Sequence, residues 1–152
     1  MNYVSVGVFL YREFAVKMLG RIATGNAAAI VVSGKIRLSK DPAFAPAQGQ
    51  TRAGLAAMEA DYTGYAAGGI AAVFSATLNQ RLGVVAVVAP ALFLATAADP
   101  QVAATVTGWW IDDGTDLVCA ERFAAGVTRP FVVPGDYLAL DCPIPLMLAV
   151  AT

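Results

Sequence analysis

The spacing of apolar residues changes its period near residue 10. Before that point Val4, Val6 and Val8 alternate with other residues, which predicts a strand or an extended arm. Beyond it apolar residues recur every four positions, which predicts an amphipathic helix over residues 10–23. The residues of this stripe are Leu10, Phe14, Met18 and Ile22. We expect residues 1–24 to form a strand and helix that pack on a sheet or serve as an N-terminal arm.

The rest of the chain consists mainly of short apolar stretches separated by turns rich in Gly, Pro, Asn and Asp. Such a pattern is typical of strands, and with the N-terminal one we expect about seven. The predicted strands cover residues 29–39, 70–78, 83–98, 102–111, 117–123 and 136–150, with a turn at 130–135. Residues 112–115, Asp-Asp-Gly-Thr, form a predicted hairpin connection in which Asp-Gly supplies positive φ angles. Residues 51–61 predict a short helix capped by Thr51, with Leu55 and Met58 facing the core.

The most apolar segment covers residues 83–98 and has Pro90 in its middle. With no polar face it predicts a central strand covered on both sides, with Pro90 at a bulge or an edge. The residues that we expect to be buried there are Val85, Val87, Val88, Leu92 and Leu94. No regular crossover helices separate the strands, so a parallel doubly wound sheet is not expected. The sequence predicts one mainly β domain over 1–152, an antiparallel β-sandwich or jelly-roll-like fold with an N-terminal helix and one short helix.

Composition narrows the classes of partner. Hydrophobic residues make up 58% of the 152 residues and charged residues 14%, against about 25% charged in ordinary soluble domains. The longest apolar run is shorter than the roughly 20 residues of a membrane-spanning helix. Four charged residues interrupt the N-terminal apolar stretch and argue against a secretory signal: Arg12, Glu13, Lys17 and Arg21. We therefore expect a chain that covers much of its surface with protein partners, and no membrane.

Charge and cysteine content exclude further classes. The net charge is −1, from ten basic and eleven acidic residues, and no basic block exists, so we expect no nucleic-acid partner. The two cysteines, Cys119 and Cys142, lie in apolar contexts and are predicted to be buried thiols. A cross-strand disulfide between them is the alternative.

Few residues could support catalysis. Histidine is absent, so the familiar serine and cysteine triads have no base. Asp112, Asp113 and Asp116 could together hold a cation, but a hairpin turn with solvated carboxylates explains them better. Gly64, Gly68 and Gly69 lack the Lys-Ser/Thr of a phosphate loop, and we expect them to permit a tight bend. The sequence predicts no enzyme, no cofactor and no metal site.

Trp109 and Trp110 lie next to each other in a predicted strand. Alternation along a strand directs one ring into the core and the other outward. An outward Trp could stack on a sugar or contact a protein, and we favour the protein contact.

Four segments of the chain, in order, carry a resemblance to a known family. They are Ala-Val-Lys-Met-Leu-Gly at 15–20, a strand followed by a Pro-rich loop at 36–46, Tyr-Thr-Gly-Tyr-Ala-Ala-Gly-Gly at 62–69, and the hairpin at 108–123 that ends in Ala-Glu-Arg-Phe. They are spread over residues 15–123, and the resemblance that they carry extends over nearly the whole chain. The chain resembles small all-β virion proteins of tailed bacteriophages. The chain departs from that pattern in its apolar run at 86–94 and in Trp110.

The resemblance implies a virion structural protein, most simply a capsid cement or decoration protein that binds the outer shell and stabilises it against internal DNA pressure. The implied partners are the major capsid protein and copies of the chain itself, as a trimer. The implied location is the capsid surface of the virion, after synthesis of the protein in the host cytoplasm. A tail, fibre or baseplate module that contacts other virion proteins or a host-surface glycan is the alternative. We expect exposed aromatic residues and nearby arginines to bind the partner: Tyr3, Phe9, Arg12, Phe44, Arg52, Tyr62 and Tyr65.

Overall fold

A computed structural model describes residues 2–4, 8–23, 33–79, 83–94, 104–124, 129–131 and 134–146. Over these ranges the chain is mainly β, with ten strands and two short helices. The strands are β1 (Asn2–Val4), β2 (Phe9–Leu10), β3 (Ser33–Ser39), β4 (Ile70–Asn79), β5 (Gly83–Leu94), β6 (Ala104–Val106), β7 (Gly108–Asp112), β8 (Leu117–Arg122), β9 (Arg129–Phe131) and β10 (Tyr137–Leu146). The helices are α1 (Arg12–Ala23) and α2 (Arg52–Ala56). Neither helix has the length and apolar character needed to cross a bilayer.

Eight strands hydrogen-bond in the order β1-β10-β5-β4-β3-β7-β8-β2, and β6 pairs separately with β9. Each described pairing is antiparallel except that of β1 with β10. The prediction of a mainly β, mostly antiparallel fold is therefore confirmed. The described strands outnumber the seven expected because two predicted strands are divided, into β1 with β2 and β6 with β7, and because β9 was not predicted.

The long sheet divides at β4. Residues 70–73 of this strand pair with β3, whereas residues 74–79 pair with β5. The last residues of β5 continue beside β10 alone. Side chains from these two parts of the sheet meet in one buried cluster, which contains Phe93, Leu138 and Leu140 from β5 and β10, and Ile36, Leu38, Trp109 and Ile111 from β3 and β7. Both parts of the sheet thus contribute side chains to the same core.

Pro90 occupies a bulge, as predicted. Leu140 of β10 is opposite Ala91, but Cys142 is opposite Val88, so β5 contains one extra residue in between. Pairing of β5 with β4 also ends at Val88. A proline can be accommodated there because no ladder on the β4 side needs its missing N–H.

Of the five β5 residues expected to be buried, only Leu94 has a described side chain. The strand lies between β10 and β4, inside the sheet, as predicted. The side chains of Val85, Val87, Val88 and Leu92 lie outside the described residues. The prediction is wrong for Leu94, which is 45% exposed beside the 47% exposed Tyr137 directly opposite. These two residues lie at the end of the strand pair, where alternation directs them away from the buried Phe93 and Leu138.

The N-terminal helix forms where the change of period predicts it. The chain enters it through β2, which pairs with β8, and the Tyr11 amide donates to the Val118 carbonyl at 3.1 Å. Phe14 is buried in the core and Val16, on another face of α1, is exposed. The described part of the segment is therefore packed on the sheet. The side chains of Met18 and Ile22 lie outside the described residues.

The second helix is shorter than predicted. Thr51 caps it as expected, accepting a hydrogen bond from the Gly54 amide at 3.1 Å, and Leu55 is buried. After Ala56 the chain pairs with the end of β3 instead of continuing the helix. The Ala60 amide donates to the Leu38 carbonyl and the Lys40 amide to the Met58 carbonyl. Tertiary hydrogen bonds thus replace the last turns that local propensity favoured.

Two other predicted elements differ in detail. The strand expected over 102–111 is divided at Thr107, whose hydroxyl donates to the Asp41 carbonyl at 2.6 Å and whose amide donates to the Ser39 carbonyl. The expected turn at 130–135 begins instead with a strand, because Pro130 lies in β9, the partner of β6 in a two-stranded sheet. Such a sheet consists of edges only, where proline is tolerated.

Candidate functional site

Polar residues from distant parts of the chain meet around the β7–β8 hairpin. The first turn of α1, the loop before α2 and the hairpin enclose an open cleft of about 320 Å³. Its lining residues are Glu13, Gly49, Gln50, Thr51, Arg52, Thr115, Asp116 and Leu117. We call this region the hairpin cleft.

The hairpin is held by its own aspartates. Asp112 Oδ1 accepts from the Gly114 amide at 3.1 Å, and Asp113 Oδ1 accepts from the Thr115 and Asp116 amides at 3.0 and 2.8 Å. Gly114 has a φ of 93°, so only the glycine of the predicted Asp-Gly pair takes a positive value. The prediction of solvated carboxylates is wrong for Asp112 and Asp113, whose side chains are 1% and 5% exposed. Cationic side chains cover both.

Arg37 is the first of these cations. Its Nε donates to Asp112 Oδ2 and its Nη1 donates to Glu59 Oε2, each at 2.8 Å, and the side chain is only 14% exposed. Burial by itself lowers the pKa of Arg37, but the hydrogen bond to Glu59 and the charge of Asp112 outweigh this effect, so the pKa is raised. Arg37 thus joins β3, β7 and the segment after α2 through fixed charges.

Lys17 is the second cation. Its Nζ lies 2.6 Å from Asp113 Oδ2 and 3.4 Å from Asp116 Oδ2, which connects α1 to the hairpin. The hydrogen bond to Asp113 is the main cause of the raised pKa of Lys17. For Asp113, burial raises the pKa, but hydrogen bonds from the Asp116 amide and Lys17 outweigh it and the pKa is lowered.

Both predicted binding arginines lie at or beside the hairpin cleft. Arg52 lines it, with a side chain 44% exposed and Nε 3.7 Å from Asp112 Oδ1. The exposed Arg12 precedes the lining residue Glu13, and its amide donates to Gln48 Oε1 at 3.1 Å. Arg52 is only loosely paired, because Asp112 is already engaged by Arg37 at a shorter distance. Its guanidinium can therefore donate hydrogen bonds to a further anionic or carbonyl partner.

The predicted aromatic residues of this region have a structural role. Phe9 is partly buried and packs edge-on against Tyr11 at 5.2 Å between ring centroids. Phe44 is fully buried 6.1 Å from Trp110, so its expected exposure is wrong. Tyr11 donates to Gln50 Oε1 at 2.7 Å, and burial, followed by the charge of Cys119, raises its pKa to about 12. These rings belong to the same buried cluster as Leu117, which lines the hairpin cleft, and Tyr11 also holds the lining residue Gln50.

Tyr62 and Tyr65 lie elsewhere, in the loop between α2 and β4. Tyr62 is buried, so its expected exposure is wrong, and Tyr65 is partly buried against the main core. Burial raises the pKa of both tyrosines. Each ring therefore has less surface available for a partner than the sequence suggested. The side chain of Tyr3, the remaining predicted residue, lies outside the described residues.

The two tryptophans confirm one expectation and correct another. Trp109 packs in the main core and Trp110 in a second cluster with Tyr11, Phe44, Leu55, Leu117 and Ala120. Their rings thus lie on opposite faces of β7, as alternation predicts. However, both are fully buried, because Phe44 and α2 cover the outer face. Trp110 is not a surface contact for a partner.

The chemistry of the region is that of hydrogen bonds and fixed charges. Among the described residues, no three His, Cys, Asp or Glu side chains come together in a way that could hold a metal ion. The three hairpin aspartates are instead engaged by Lys17 and Arg37. Cys119 is a buried thiol, as predicted, and the Cys142 side chain lies outside the described residues. Sequence reasoning missed Lys17, Arg37 and Glu59, since only the fold brings them to their partners. Lys17 of α1 reaches the hairpin, β3 pairs with β7, and Glu59 bridges to Ser39 at the end of β3.

No family model matches the chain, and neither the curated proteins nor the solved structures contain a match.

Proposed function

We propose that this chain is a virion structural protein of a tailed bacteriophage, a cement protein that binds the outside of the capsid and stabilises it. The observation that carries the proposal is the ordered resemblance of four segments, ending with the hairpin at 108–123. Two of these segments contribute to the same surface, because Lys17 of the first pairs with Asp113 of the last. We also propose that the two parts of the sheet are the two layers of an antiparallel β-sandwich within one domain.

Physical requirements of a cement protein agree with the chain. Packaged DNA presses outward on the shell, and a protein that binds only the assembled lattice stabilises that lattice by mass action. Many copies act together, so each contact can be small. Ion pairs that join a helix, a hairpin and a loop would let a small domain transmit load without rearranging.

The hairpin cleft is the proposed shell-binding surface. Arg52 and Arg12 supply exposed cations there, and Glu13 and Asp116 supply carboxylates. Mixed charges of this kind suit a protein surface with complementary charged and carbonyl groups. Phe9, partly buried at the adjoining β2 edge, extends the same surface.

The test compares particles assembled with and without the protein. Particles that lack it should have normal dimensions but release DNA at a lower temperature, and adding the purified chain should restore the wild-type temperature. Arg52→Ala should weaken binding to the bare particles. Arg122→Ala is the matched control, since it removes an exposed arginine at the end of β8 opposite to the hairpin.

Copy number separates cement from the tail alternative. A number of copies that scales with the capsomers supports the proposal. Unchanged heat stability of the particles, together with a few copies found only at the tail, would replace it with a tail or fibre role.

A further inference from the structure

The two outer strands of the eight-stranded sheet are close neighbours in the sequence. In the order of strands, β1 lies at one edge of the sheet and β2 lies at the other. Only four residues separate Val4, the last residue of β1, from Phe9, the first residue of β2. The two edges of the sheet are therefore covered by β1 and β2, which we call together the N-terminal clasp.

The length of this connection limits the distance between the two edges. Neighbouring strands are about 4.8 Å apart, so the outer strands of a flat, open eight-stranded sheet lie about 34 Å apart. An extended chain advances by at most about 3.6 Å per residue, so Val4 and Phe9 are at most about 18 Å apart. The sheet must therefore curve back far enough to bring its two edges towards each other.

The directions of the strands agree with such a return. The six pairings that lead from β2 through β8, β7, β3, β4 and β5 to β10 are all antiparallel. Six reversals leave β2 and β10 pointing the same way, and β1 is parallel to β10. β1 and β2 therefore run in the same direction, as two successive parts of one strand do.

We infer that β1 and β2 are the two halves of one closing strand, which joins β10 to β8 and makes the sheet a closed ring of seven strands. A ring with an odd number of strands cannot alternate direction at every step, so one neighbouring pair has to be parallel. This requirement explains the pairing of β1 with β10, the one parallel pair among the described strands. On the opposite side of the ring β4 is divided in the same way, because residues 70–73 pair with β3 and residues 74–79 pair with β5.

Closing the sheet removes its free edges. Unpaired backbone N–H and C=O groups at a sheet edge can pair with another chain, and a closed sheet has no such edge. β1 covers β10 at residues 139–141, while β2 and Tyr11 cover β8 at residues 118–120. The N-terminal clasp is thus a conformational device: when closed it prevents copies of the chain from pairing edge to edge, and when open it exposes two edges to a second copy. This inference does not depend on the proposed capsid role, and it adds a second closed side to the proposed sandwich.

The experiment locks one half of the clasp and observes the other half. Leu10 of β2 lies opposite the free thiol of Cys119 in β8. The Tyr11 amide donates to the Val118 carbonyl, so the adjacent Leu10 and Cys119 form a non-hydrogen-bonded pair. The Cα atoms of such pairs are close enough for a disulfide. In Leu10→Cys, oxidation of the two thiols therefore locks β2 to β8, peptide mapping confirms the bond, and the reduced form of the same variant is the matched control.

Hydrogen exchange at residues 139–141 of β10 is the measurement, because β10 and β8 lie near opposite edges in the order of strands. If β1 and β2 are one closing strand, the disulfide should slow exchange of the amides that face β1 at least about fivefold relative to the reduced form. In an open sheet the disulfide would hold only the β8 edge. Unchanged exchange at residues 139–141 in the oxidised protein would therefore overturn the inference.

A second pair of variants opens the clasp. Because hydrogen-bonded and non-hydrogen-bonded pairs alternate along antiparallel strands, the Phe9 amide points towards β8 and the Leu10 amide points away. Phe9→Pro removes a hydrogen bond of the ladder, whereas the matched control Leu10→Pro keeps it, and both substitutions remove a partly buried apolar side chain. Phe9→Pro should speed exchange at residues 139–141 and form larger species than wild type in sedimentation velocity as the concentration rises, and the control should do neither. Faster exchange without self-association would show that the clasp does not guard the edges of the sheet.

Discussion

Arg37 reaches Asp112 diagonally across two strands. The register of β3 and β7 places Asp112 opposite Lys35 and Arg37 opposite Trp110, yet Arg37 Nε lies 2.8 Å from Asp112 Oδ2. Diagonal neighbours are within reach of a long side chain. Asp112 is therefore paired with Arg37 and not with the exposed Lys35 directly opposite it. Arg37 also donates a hydrogen bond to Glu59. One side chain thereby connects the hairpin cleft with the segment after α2.

Removing Arg37 should therefore destabilise the whole fold. Arg37→Met keeps most of the aliphatic volume but leaves Asp112 and Glu59 without their common cation. Breaking a buried ion pair on one side costs about 3–5 kcal/mol, and we expect a loss of that size in the free energy of unfolding measured with urea.

Lys40→Met is the control for this measurement. Lys40 pairs with Asp61 at an exposed position, with the side chains 42% and 67% exposed. Pairs of this kind contribute less than about 1 kcal/mol. Equal effects of the two substitutions would contradict the central role of Arg37.

The sequence predicted local structure well where a short pattern determines it. Three such features depend on neighbouring residues and on backbone chemistry. They are the change in apolar spacing near residue 10, the capping hydroxyl of Thr51 and the bulge at Pro90. Coverage of a surface depends on distant parts of the chain. Alternation placed Trp110 on the face opposite to Trp109, but only the fold shows that Phe44 covers it.

The same contrast between local patterns and distant contacts applies to the candidate site. Arg12 and Arg52 are exposed as expected, because long charged side chains rarely lie in a core. Phe44 and Tyr62 were expected on the surface because they lie in predicted loops, but these loops fold back over the sheet. The ion pairs of Lys17 and Arg37 span 96 and 75 residues to Asp113 and Asp112, which no local pattern could predict.

The two tryptophans should respond differently to the same substitution. Trp109 Nε1 donates to Glu121 at 3.2 Å, whereas Trp110 Nε1 has no acceptor among the described residues. Trp109→Phe and Trp110→Phe lose similar apolar surface, but only the first loses a hydrogen bond to a charged group, worth about 1.5–3 kcal/mol. Urea unfolding should show Trp109→Phe to be the more destabilising by about 2 kcal/mol. The reverse order would mean that the Trp110 indole has an acceptor.

Two glycines with similar backbone angles should differ in their tolerance of alanine. Gly69 and Gly114 have φ values of 80° and 93°. A Cβ at Gly114 would meet nothing within 4 Å, but at Gly69 it would collide with the Ile36 carbonyl oxygen in β3. Gly114→Ala should cost about 1–2 kcal/mol from the positive φ alone. Gly69→Ala should cost about 1–3 kcal/mol more, since the clash is with backbone, and thermal unfolding of the two variants checks this order.

The ion pair of Lys17 with Asp113 should contribute stability over a defined pH range. Asp113 has a folded pKa below its ordinary 3.8, so its contribution is present above pH 3.8 and is lost as the pH falls through the folded value. Lys17 has a folded pKa above its ordinary 10.5, so its contribution is present below pH 10.5 and is lost as the pH rises through the folded value. The Lys17 side chain is 34% exposed, so we expect Lys17→Met to lower the unfolding free energy by only about 0.5–1 kcal/mol at neutral pH.

The difference between wild type and variant, measured by urea unfolding across pH, should shrink at both extremes. Lys35→Met, at an exposed position, should leave stability nearly unchanged throughout. A difference for Lys17→Met that persists at acid pH once the Asp113 carboxylate is protonated would show that the hydrogen bond to Asp113 is not its origin.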